Sequence, residues 1–456
     1  MTLFFADELL YDPSVRLPAD STLLPVANDD RLLVSRELAT FCPVPRGEVP
    51  GLEAVLAGAA DLAALGRGLL GRLERHGFFG APRPPEPDKP SIQLQLTNSC
   101  NLACTYCCTN SGNPRRQEVS LQQVNRVVDQ AAEVLGGDGQ LALLGGEPFL
   151  VPWAIDVAER IVDRGHHLTI FTNGMPHHTD QELARRTAEL SRRGAEVRVS
   201  LAGPTPELCD DASGTSRFGA ALGGIHGIAR HGGSVVVDLM VLPEQVAAVA
   251  QGFYSLRKRL PPDTPIALGI LYLSGRETGQ HMFRTRGDLE DALDRIAFEA
   301  GELISAPRTA PVSHRREGCG CAMGNHLHVR SDGRLFNCFK MEERVGDLAT
   351  DDFVATARRV RENPHPARSL ETCADCALAT LCGGGCRSDN LLYTGDADVP
   401  ACGPWRVRVI SELLAEERVT AVDWPVHHLL AEARRRGIDA PGRLEPVRAS
   451  RHLTET

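Results

Sequence analysis

The stretch Ser91-Ile-Gln-Leu-Gln-Leu-Thr-Asn-Ser-Cys100-Asn-Leu-Ala-Cys104-Thr-Tyr-Cys107 decides the fold of this chain. Its first half is a short apolar run that predicts a β-strand, and its second half is a loop with three cysteines in CxxxCxxC spacing. Three thiolates at this spacing can each bind a different iron of a cubane iron–sulfur cluster, which leaves the fourth iron without a protein ligand. The alternative is a structural zinc site. Zinc needs four ligands, and the nearest fourth cysteine, Cys108, is adjacent to Cys107 and poorly placed to join it.

From this stretch to about residue 304 the sequence alternates between strand and helix patterns. The strand patterns are Ile92–Leu96, Leu141–Leu144, Leu168–Phe171, Val197–Leu201, Val235–Leu242 and Ile266–Leu273. The clearest helix begins at Ser120 as N-cap, and others span roughly 150–164, 179–193, 217–231, 244–259 and 287–304. The helix that begins at Ser120 has an apolar face formed by Leu121, Val124, Val127, Val128, Ala131 and Leu135. Six strands, each followed by a helix, predict a parallel α/β sheet that forms a partial (β/α)6 TIM-type barrel, with its chemistry at the C-terminal ends of the strands.

Three further segments surround this predicted barrel of residues 89–305. Residues 1–88 form a small α+β module, with a strand at Arg31–Ser35 and helices between Leu52 and Phe79, and they end at a proline-rich linker around 81–90. Residues 306–405 are rich in cysteine and glycine and have too few apolar residues for a core of their own, so bound metal is expected to organise them. Residues 406–456 form a helical extension, with helices near 405–418 and 425–436, and a polar tail.

Bulk composition excludes several classes of protein. The net charge of −10 argues against broad nucleic-acid binding, which needs a basic surface. The N-terminal stretch lacks the basic residues of a signal peptide, and no apolar run reaches the ~20 residues of a membrane helix. We therefore expect a cytoplasmic protein, without membrane contact, whose thiols stay reduced. Most of its 14 cysteines fall in two clusters, at 100–108 and 319–386 with Cys402 close behind, which favours metal ligands over disulfides.

Over residues 91–304 the sequence resembles the radical S-adenosylmethionine (SAM) superfamily. Four elements carry the resemblance in addition to the cysteines, and each ends a predicted strand or lies in the first loop. They are Tyr106, the GGEP motif Gly145-Gly146-Glu147-Pro148, the pair Thr172-Asn173, and Ser200. The resemblance implies that Cys100, Cys104 and Cys107 hold a SAM-binding [4Fe–4S] cluster and that the other four elements line SAM.

The chain departs from this resemblance after the fourth strand. Many peptide-modifying relatives carry Ser-Leu-Asp-Gly there, whereas this chain has Ser200-Leu-Ala202-Gly203. The acid or base that the aspartate would supply is therefore missing. Asp210 and Asp211 remain candidates for that catalytic role, although surface solvation explains either of them equally simply.

The second cysteine cluster resembles the SPASM extension of the same superfamily, whose pattern is GxxxxC, then CxxCx5Cx3C, then a final cysteine. Taken alone, the paired cysteines would suggest a zinc ribbon. The resemblance instead implies two auxiliary [4Fe–4S] clusters, and so three clusters in all. The outer cluster would be held by Cys373, Cys376, Cys382 and Cys402, and the inner one by Cys338, Cys386, Cys321 and Cys319. Because Cys319 and Cys321 are separated by one residue, Cys319 is alternatively a free thiol, and so a third catalytic candidate, or the inner cluster keeps an open iron for substrate.

Together these resemblances imply a radical SAM/SPASM oxidoreductase that matures peptides. Its expected partners are a ribosomally made precursor peptide with a leader, which the N-terminal module would bind, and an electron donor such as flavodoxin or ferredoxin. The expected outcome is oxidative, as a cross-link, a thioether or a desaturation. The alternatives are oxidation of a protein side chain in the manner of sulfatase-maturing enzymes, action on a small molecule, and a non-catalytic metal scaffold.

Overall fold

The computed structural model describes residues 15–25, 30–85, 89–136, 139–269, 275–276, 283, 292–293, 295–296, 299 and 315–402. Its strands are β1 (Thr22–Pro25), β2 (Arg31–Ser35), β3 (Thr40–Val44), β4 (Ser91–Gln95), β5 (Gln140–Leu144), β6 (His167–Thr172), β7 (Glu196–Leu201), β8 (Val236–Met240), β9 (Ile266–Gly269), β10 (His326–Val329), β11 (Arg334–Phe336) and β12 (Arg344–Asp347). Its α-helices are α1 (Val49–Leu56), α2 (Arg67–Arg75), α3 (Leu121–Leu135), α4 (Ala154–Asp163), α5 (Met175–Thr179), α6 (Gln181–Arg192), α7 (Pro206–Ser213), α8 (Phe218–Arg230), α9 (Val246–Arg259), α10 (Phe353–Glu362), α11 (Glu371–Ala374), α12 (Ala379–Cys382) and α13 (Arg387–Thr394).

A nine-stranded sheet in the order β12-β11-β10-β4-β5-β6-β7-β8-β9 organises the chain. The six strands from β4 to β9 are parallel neighbours in sequence order, which confirms the parallel α/β sheet expected from the alternation. In a parallel sheet all the C-terminal strand ends lie at one edge. The loops that follow β4 to β9 are therefore brought together.

Helix α3 shows how local sequence fixes the elements around this sheet. Ser120 caps it, since the Ser120 hydroxyl accepts the N–H of Gln123 at 3.3 Å and the Gln123 side chain accepts the N–H of Ser120 at 3.0 Å. The expected apolar face is buried from Val124 onward, but the first helical residue, Leu121, is 38% exposed. Side chains in the first turn point back over the chain before the helix, and Leu121 therefore misses the sheet.

Two short helices, α5 and α7, were not expected from the sequence pattern. Helix α5 begins after Gly174, whose φ of 79° starts the turn directly at the end of β6. The expected helix at 287–304 lies largely outside the described residues, as do the helices expected near 405–418 and 425–436. Among the helices that the structure describes, none is both long and apolar enough to cross a membrane.

The cysteine-rich segment is attached to the central sheet and is not a separate layer. Strand β10 pairs in parallel with β4, and β11 and β12 continue the sheet as antiparallel strands. Leu327, Val329 and Leu335 are buried in the same apolar core as the six parallel strands. Residues 326–362 therefore share the central core and do not depend on one of their own.

The N-terminal residues form a three-stranded antiparallel sheet, β1-β2-β3, that is covered on both faces. One face, which includes Leu33 and Cys42, packs on α1 and α2. The opposite face packs on the cysteine-rich segment at Leu378 and Leu381, with Cys376 and Cys382 beside them. The side chains on that second face are Leu32, Val34, Ala39 and Phe41. The small sheet thus covers part of the cysteine array.

Candidate functional site: three cysteine groups

Cys100, Cys104 and Cys107 lie in the loop after β4, and all three side chains are half-buried. The Cys100 N–H donates to the carbonyl of Gly112 at 3.0 Å, and the Cys107 N–H donates to the carbonyl of Cys104 at 3.3 Å. Burial raises the pKa of Cys100 to about 11, and the charges of Cys104 and Cys107 add to that rise. The three sulfurs therefore share one neighbourhood, as ligands of a single cluster must.

Hydrogen-bond donors surround the sulfurs of this triad. Burial alone would raise the pKa of Cys107, but hydrogen bonds from Thr109 and Ser111 outweigh it and bring the pKa below its usual value. The Ser111 N–H lies 3.3 Å from the Cys107 sulfur, and the Thr109 hydroxyl lies 3.4 Å from it. For Cys104, burial is the larger effect and raises the pKa, while Arg217 and the Tyr106 hydroxyl act against it. Thiols with nearby donors and cations are the kind that ionise and bind iron, and this loop therefore fits a cluster.

The GGEP motif follows β5 and lies directly against the cysteine loop. The N–H of Gly146 donates to the carbonyl of Thr97 at 2.9 Å, and the N–H of Glu147 donates to the carbonyl of Ser99 at 2.9 Å. A Cβ added to Gly146 would stand 2.2 Å from the Ser99 oxygen. Only glycine permits so close an approach between these two loops.

Glu147 connects the ends of β5 and β6. Its fully buried carboxylate accepts the N–H of Asn173 at 2.7 Å and the Thr172 hydroxyl at 2.8 Å. Burial raises the pKa of Glu147 to about 7, against the hydrogen bonds from Asn173 and Thr172. The Asn173 side chain in turn donates to Asn101 of the cysteine loop at 2.7 Å. Three of the residues expected to line SAM are therefore hydrogen-bonded into one frame.

Arg217 lies beside Ser200 and the triad, although the sequence did not predict it as a site residue. Its side chain is only 2% exposed, and a guanidinium nitrogen donates to the carbonyl of Ser200. Its charge acts on Cys104 and Tyr106, and its Nε has no partner. The Arg217 charge also acts on the carboxyl groups of Glu147 and Asp210, where it favours the ionised form. No sequence motif marks Arg217, because its neighbours come from three separate strand ends.

The two aspartates considered as catalytic candidates differ in position. Asp210 accepts the N–H groups of Arg217 and Phe218 at 2.8 and 3.0 Å, at the start of α8. Burial raises its pKa, but these N–H donors outweigh burial and hold the pKa below the usual value. Asp210 therefore orients Arg217, and Asp211 is exposed to solvent.

A cavity of about 660 Å³ opens beside Cys100. Its lining comes from the cysteine loop, from the turn between α7 and α8, and from the residues after β9, with Asn98, Asn101, Asn113, Gly112, Thr215 and Arg276 among them. Because its walls are mostly amide and backbone groups, the cavity offers hydrogen bonds to a polar molecule next to the triad.

The remaining clustered cysteines fall into two groups of four. We call the first the inner group, in which the charges of Cys319, Cys338 and Cys386 all act on Cys321. Cys321 and Cys338 are hydrogen-bonded to each other. That bond raises the pKa of Cys321 and lowers the pKa of Cys338 to about 7, since the two sulfurs share a proton. The charge of Cys319 also acts on Cys386, so its electrostatic neighbours are members of this group.

The second set is the outer group of Cys373, Cys376, Cys382 and Cys402. Burial raises the pKa of Cys373 to about 12, and the charges of Cys402, Cys382 and Cys376 add to it. Among the described residues, no three His, Cys, Asp or Glu side chains converge closely enough to bind a single metal ion. Cys42 and Cys209 are fully buried and lie outside the three groups, and Cys209 is hydrogen-bonded to Arg217 beside the first site.

Comparison with known proteins identifies the family of the central domain. Residues 94–248 match the profile of the Radical SAM superfamily. The chain is 25% identical over 355 residues to a PqqA peptide cyclase of Ruegeria pomeroyi, an alignment that covers 71% of this chain and 89% of the relative. It is 22% identical over 363 residues to an AdoMet-dependent heme synthase of Oleidesulfovibrio alaskensis, covering 72% and 91%.

Among solved structures, native anSMEcpe with bound AdoMet and Kp18Cys peptide aligns with a TM-score of 0.53 at 17% identity, over 76% of this chain and 99% of that one. At this identity the likeness concerns the fold. It extends beyond the parallel sheet, because it covers most of both chains. The chain therefore carries a radical SAM domain, and its relatives include a peptide cyclase and a heme synthase.

Proposed function

We propose that this protein is a cytoplasmic radical SAM/SPASM maturase that oxidises a ribosomally made precursor peptide. The observation that carries the proposal is the presence of three separate cysteine groups, one in the loop after β4 and two groups of four in the C-terminal segment. The first group supports radical generation. The two others support electron transfer, which a reaction with a net oxidative outcome requires.

Each residue of the first site has a role in this proposal. Cys100, Cys104 and Cys107 hold a [4Fe–4S] cluster whose open iron binds SAM, and this pair supplies the 5′-deoxyadenosyl radical. Tyr106, Gly145, Pro148 and Ser200 line SAM, while Glu147 holds the ends of β5 and β6 together. Arg217 would offer the Nε of its buried guanidinium, which has no partner, to the carboxylate of SAM. A buried N–H without a partner is costly, and an anionic ligand would offset that cost.

The inner and outer groups would hold the two auxiliary [4Fe–4S] clusters. Clusters held there would supply sites for electron transfer, either away from an oxidised substrate or from a donor such as flavodoxin or ferredoxin. Cys319 is included as an inner ligand because its charge acts on both Cys321 and Cys386. This assigns four cysteines to each auxiliary cluster and leaves no open iron in the inner one.

The N-terminal module is proposed to bind the leader of the precursor. Both faces of its sheet are covered, one by α1 and α2 and the other by the outer group. In the described residues β1 and β3 each pair only with β2, so the sheet offers its edges to a peptide. An extended leader that adds as a further strand would use those edges.

Co-expression of the protein with a candidate precursor, followed by mass measurement of the peptide, tests this proposal. The expected product has lost two hydrogens, about 2 Da, per modified site. The matched control is a precursor without its leader, which should remain unmodified. An unmodified full-length precursor, with SAM cleaved in the same cells, would contradict the peptide assignment.

A second candidate is a SPASM enzyme that acts on a protein side chain or on a small molecule. The heme synthase relative favours it, since that protein matches as much of this chain as the peptide cyclase does. The two candidates differ in whether the N-terminal module binds a peptide. Titration of the whole protein with labelled leader peptide separates them, because the second candidate predicts no binding.

A further inference from the structure

Gly275 and Arg276 follow β9, the last of the six parallel strands, and contact the loop that follows β4, the first of them. The Arg276 N–H donates to the carbonyl of Cys107 at 2.9 Å, and its side-chain Nε donates to the carbonyl of Cys104, also at 2.9 Å. One residue therefore satisfies the backbone carbonyls of two triad cysteines. Arg276 follows β9 and the cysteine loop follows β4. The segments after the last and the first of the six parallel strands therefore meet above the sheet.

Gly275 makes this contact sterically possible. Its φ is +66°, a conformation that side chains disfavour. An added Cβ would stand 2.4 Å from the Cys107 carbonyl oxygen and 2.6 Å from the Cys108 carbonyl carbon and oxygen. Backbone therefore touches backbone here, and any larger residue at 275 would push Arg276 away from the cysteine loop.

The guanidinium of Arg276 also places a positive charge beside the triad. Its side chain bonds directly to the carbonyl of Cys104 and is half-buried, so water screens its charge less there than at an open surface. A fixed cation near thiolate ligands favours the more negative state of the group they bind. The hydrogen bonds of Arg276 to two carbonyls hold that cation in place.

We propose that Gly275 and Arg276 form a clasp that closes the open end of the strand array over the cysteine loop, positions Cys104 and Cys107 for iron, and raises the reduction potential of the cluster they bind. The clasp rests on the proposed radical SAM function. Arg276 is a positioning residue, because it touches the carbonyls of the ligands and not their sulfurs. The clasp also accounts for a partial barrel, since it can form only if the sheet curls enough to bring the loops after β4 and β9 together.

The midpoint reduction potential of the cluster tests the effect of the Arg276 charge. The cluster at the triad can be followed in the holoenzyme as the electron paramagnetic resonance signal that changes when SAM is added. Arg276→Gln should lower the midpoint potential of that signal, and Arg276→Lys, which keeps the charge, should lie closer to the wild type. Arg230→Gln, a change at an exposed arginine at the end of α8, is the control and should leave the potential unchanged.

The iron content of the protein tests whether the clasp positions Cys104 and Cys107 to bind iron. Gly275→Ala should lose about four irons per chain together with the SAM-responsive signal, because the clasp can no longer reach the loop. Gly165→Ala is the matched control. Gly165 has a similar φ of +79°, but no atom lies within 4 Å of its added Cβ, so this variant carries the same backbone strain without the collision.

The outcomes separate this inference from the proposed function. If the wild type shows no SAM-responsive signal, the proposed function fails. If the wild type shows it and Arg276→Gln keeps the same potential and iron content, the clasp is overturned whatever Gly275→Ala does. If Arg276→Gln loses the cluster outright while Arg276→Lys retains it, the charge of the clasp is supported. Loss of the cluster in both Arg276→Gln and Arg276→Lys would show that the positive charge at 276 is not sufficient. The hydrogen bond to the Cys104 carbonyl would then be the only role left for the Arg276 side chain.

Discussion

The cysteine loop after β4 and the C-terminal cysteine groups are built in different ways. The loop is held by contacts from other strand ends: the backbone of Gly146 after β5, the side chain of Asn173 after β6, and both the backbone and the side chain of Arg276 after β9. Most of the outer group lies on the short helices α11 and α12 and the turns beside them, against the apolar face of the N-terminal sheet, while in the inner group Cys338 follows β11 and Cys386 precedes α13. The first site is thus shaped by the ends of the parallel strands, whereas we expect the short helices of the outer group to depend more on bound metal.

Replacing Gly146 is the change with the largest expected effect, because it separates the two loops that form the first site. Gly146→Ala brings a Cβ to 2.2 Å from the Ser99 oxygen and 2.8 Å from the Cys100 Cβ. A displacement of about 1 Å at a reacting centre costs about 100-fold in rate, and we expect at least that loss in 5′-deoxyadenosine formation. Gly47→Ala, where nothing lies within 4 Å, should leave the rate unchanged. Comparable rates for the two variants would show that the first site is not shaped by this contact.

Removal of one cysteine from each C-terminal group tests whether the groups are independent. Cys373→Ser in the outer group and Cys386→Ser in the inner group should each lower the iron content by about four per chain. Both variants should still cleave SAM, because the first loop does not contain these residues. Iron and sulfide analysis, with 5′-deoxyadenosine measured in parallel, checks both points. If either variant stopped SAM cleavage, the division into separately built regions would be wrong.

The interface between the N-terminal sheet and the outer group is the next test. Phe41 is fully buried there, and its ring lies edge-on to His76 at 5.3 Å. Phe41→Ala should cost about 3–5 kcal/mol in unfolding free energy of this part of the chain. It should also release iron from the outer group faster under chelator. Leu391→Ala, at a side chain that is 43% exposed, should change stability by less than about 0.5 kcal/mol. Unchanged iron release from Phe41→Ala would show that the N-terminal sheet does not stabilise the outer group.

The smallest expected effect concerns acid stability of the strand array. Burial lowers the pKa of His177 to about 4 from 6.5, so between these pH values the unfolded chain binds one more proton than the folded chain. The folded state therefore loses about 3 kcal/mol from this residue as pH falls from about 6.5 to about 4. His177→Gln should flatten that part of the curve of urea midpoint against pH. An unaltered slope would mean that His177 titrates alike in both states.

The sequence predicted the six parallel strands well because each is a short apolar run between turn residues, a local property. It did not predict β10, whose four residues His326–Val329 include two histidines and gain their place only by pairing with β4. Arg217 and Arg276 escaped prediction for a related reason. Their neighbours are the ends of strands far away in sequence, so no local pattern marks either residue.

The cysteine groups were also predicted only in part from the sequence. Their spacing marked them as metal ligands, yet the division into inner and outer groups came from a family resemblance and not from the spacing itself. In the structure the charge of Cys319 acts on Cys321 and Cys386, which the one-residue spacing between Cys319 and Cys321 made hard to foresee. Asp210 was considered for catalysis because it is an acid near the site, and only its hydrogen bonds to Arg217 and Phe218 reveal that it orients the arginine.

Cleavage of SAM by the reduced holoenzyme tests the central claim most directly. The wild-type protein, reconstituted without oxygen and supplied with a reductant, should release 5′-deoxyadenosine. The combined substitutions Cys100→Ala, Cys104→Ala and Cys107→Ala should abolish that release, whereas Cys42→Ala, at a buried thiol outside the three groups, should not. A triple variant that still forms 5′-deoxyadenosine at the wild-type rate would contradict the assignment of the radical-generating site to the loop after β4.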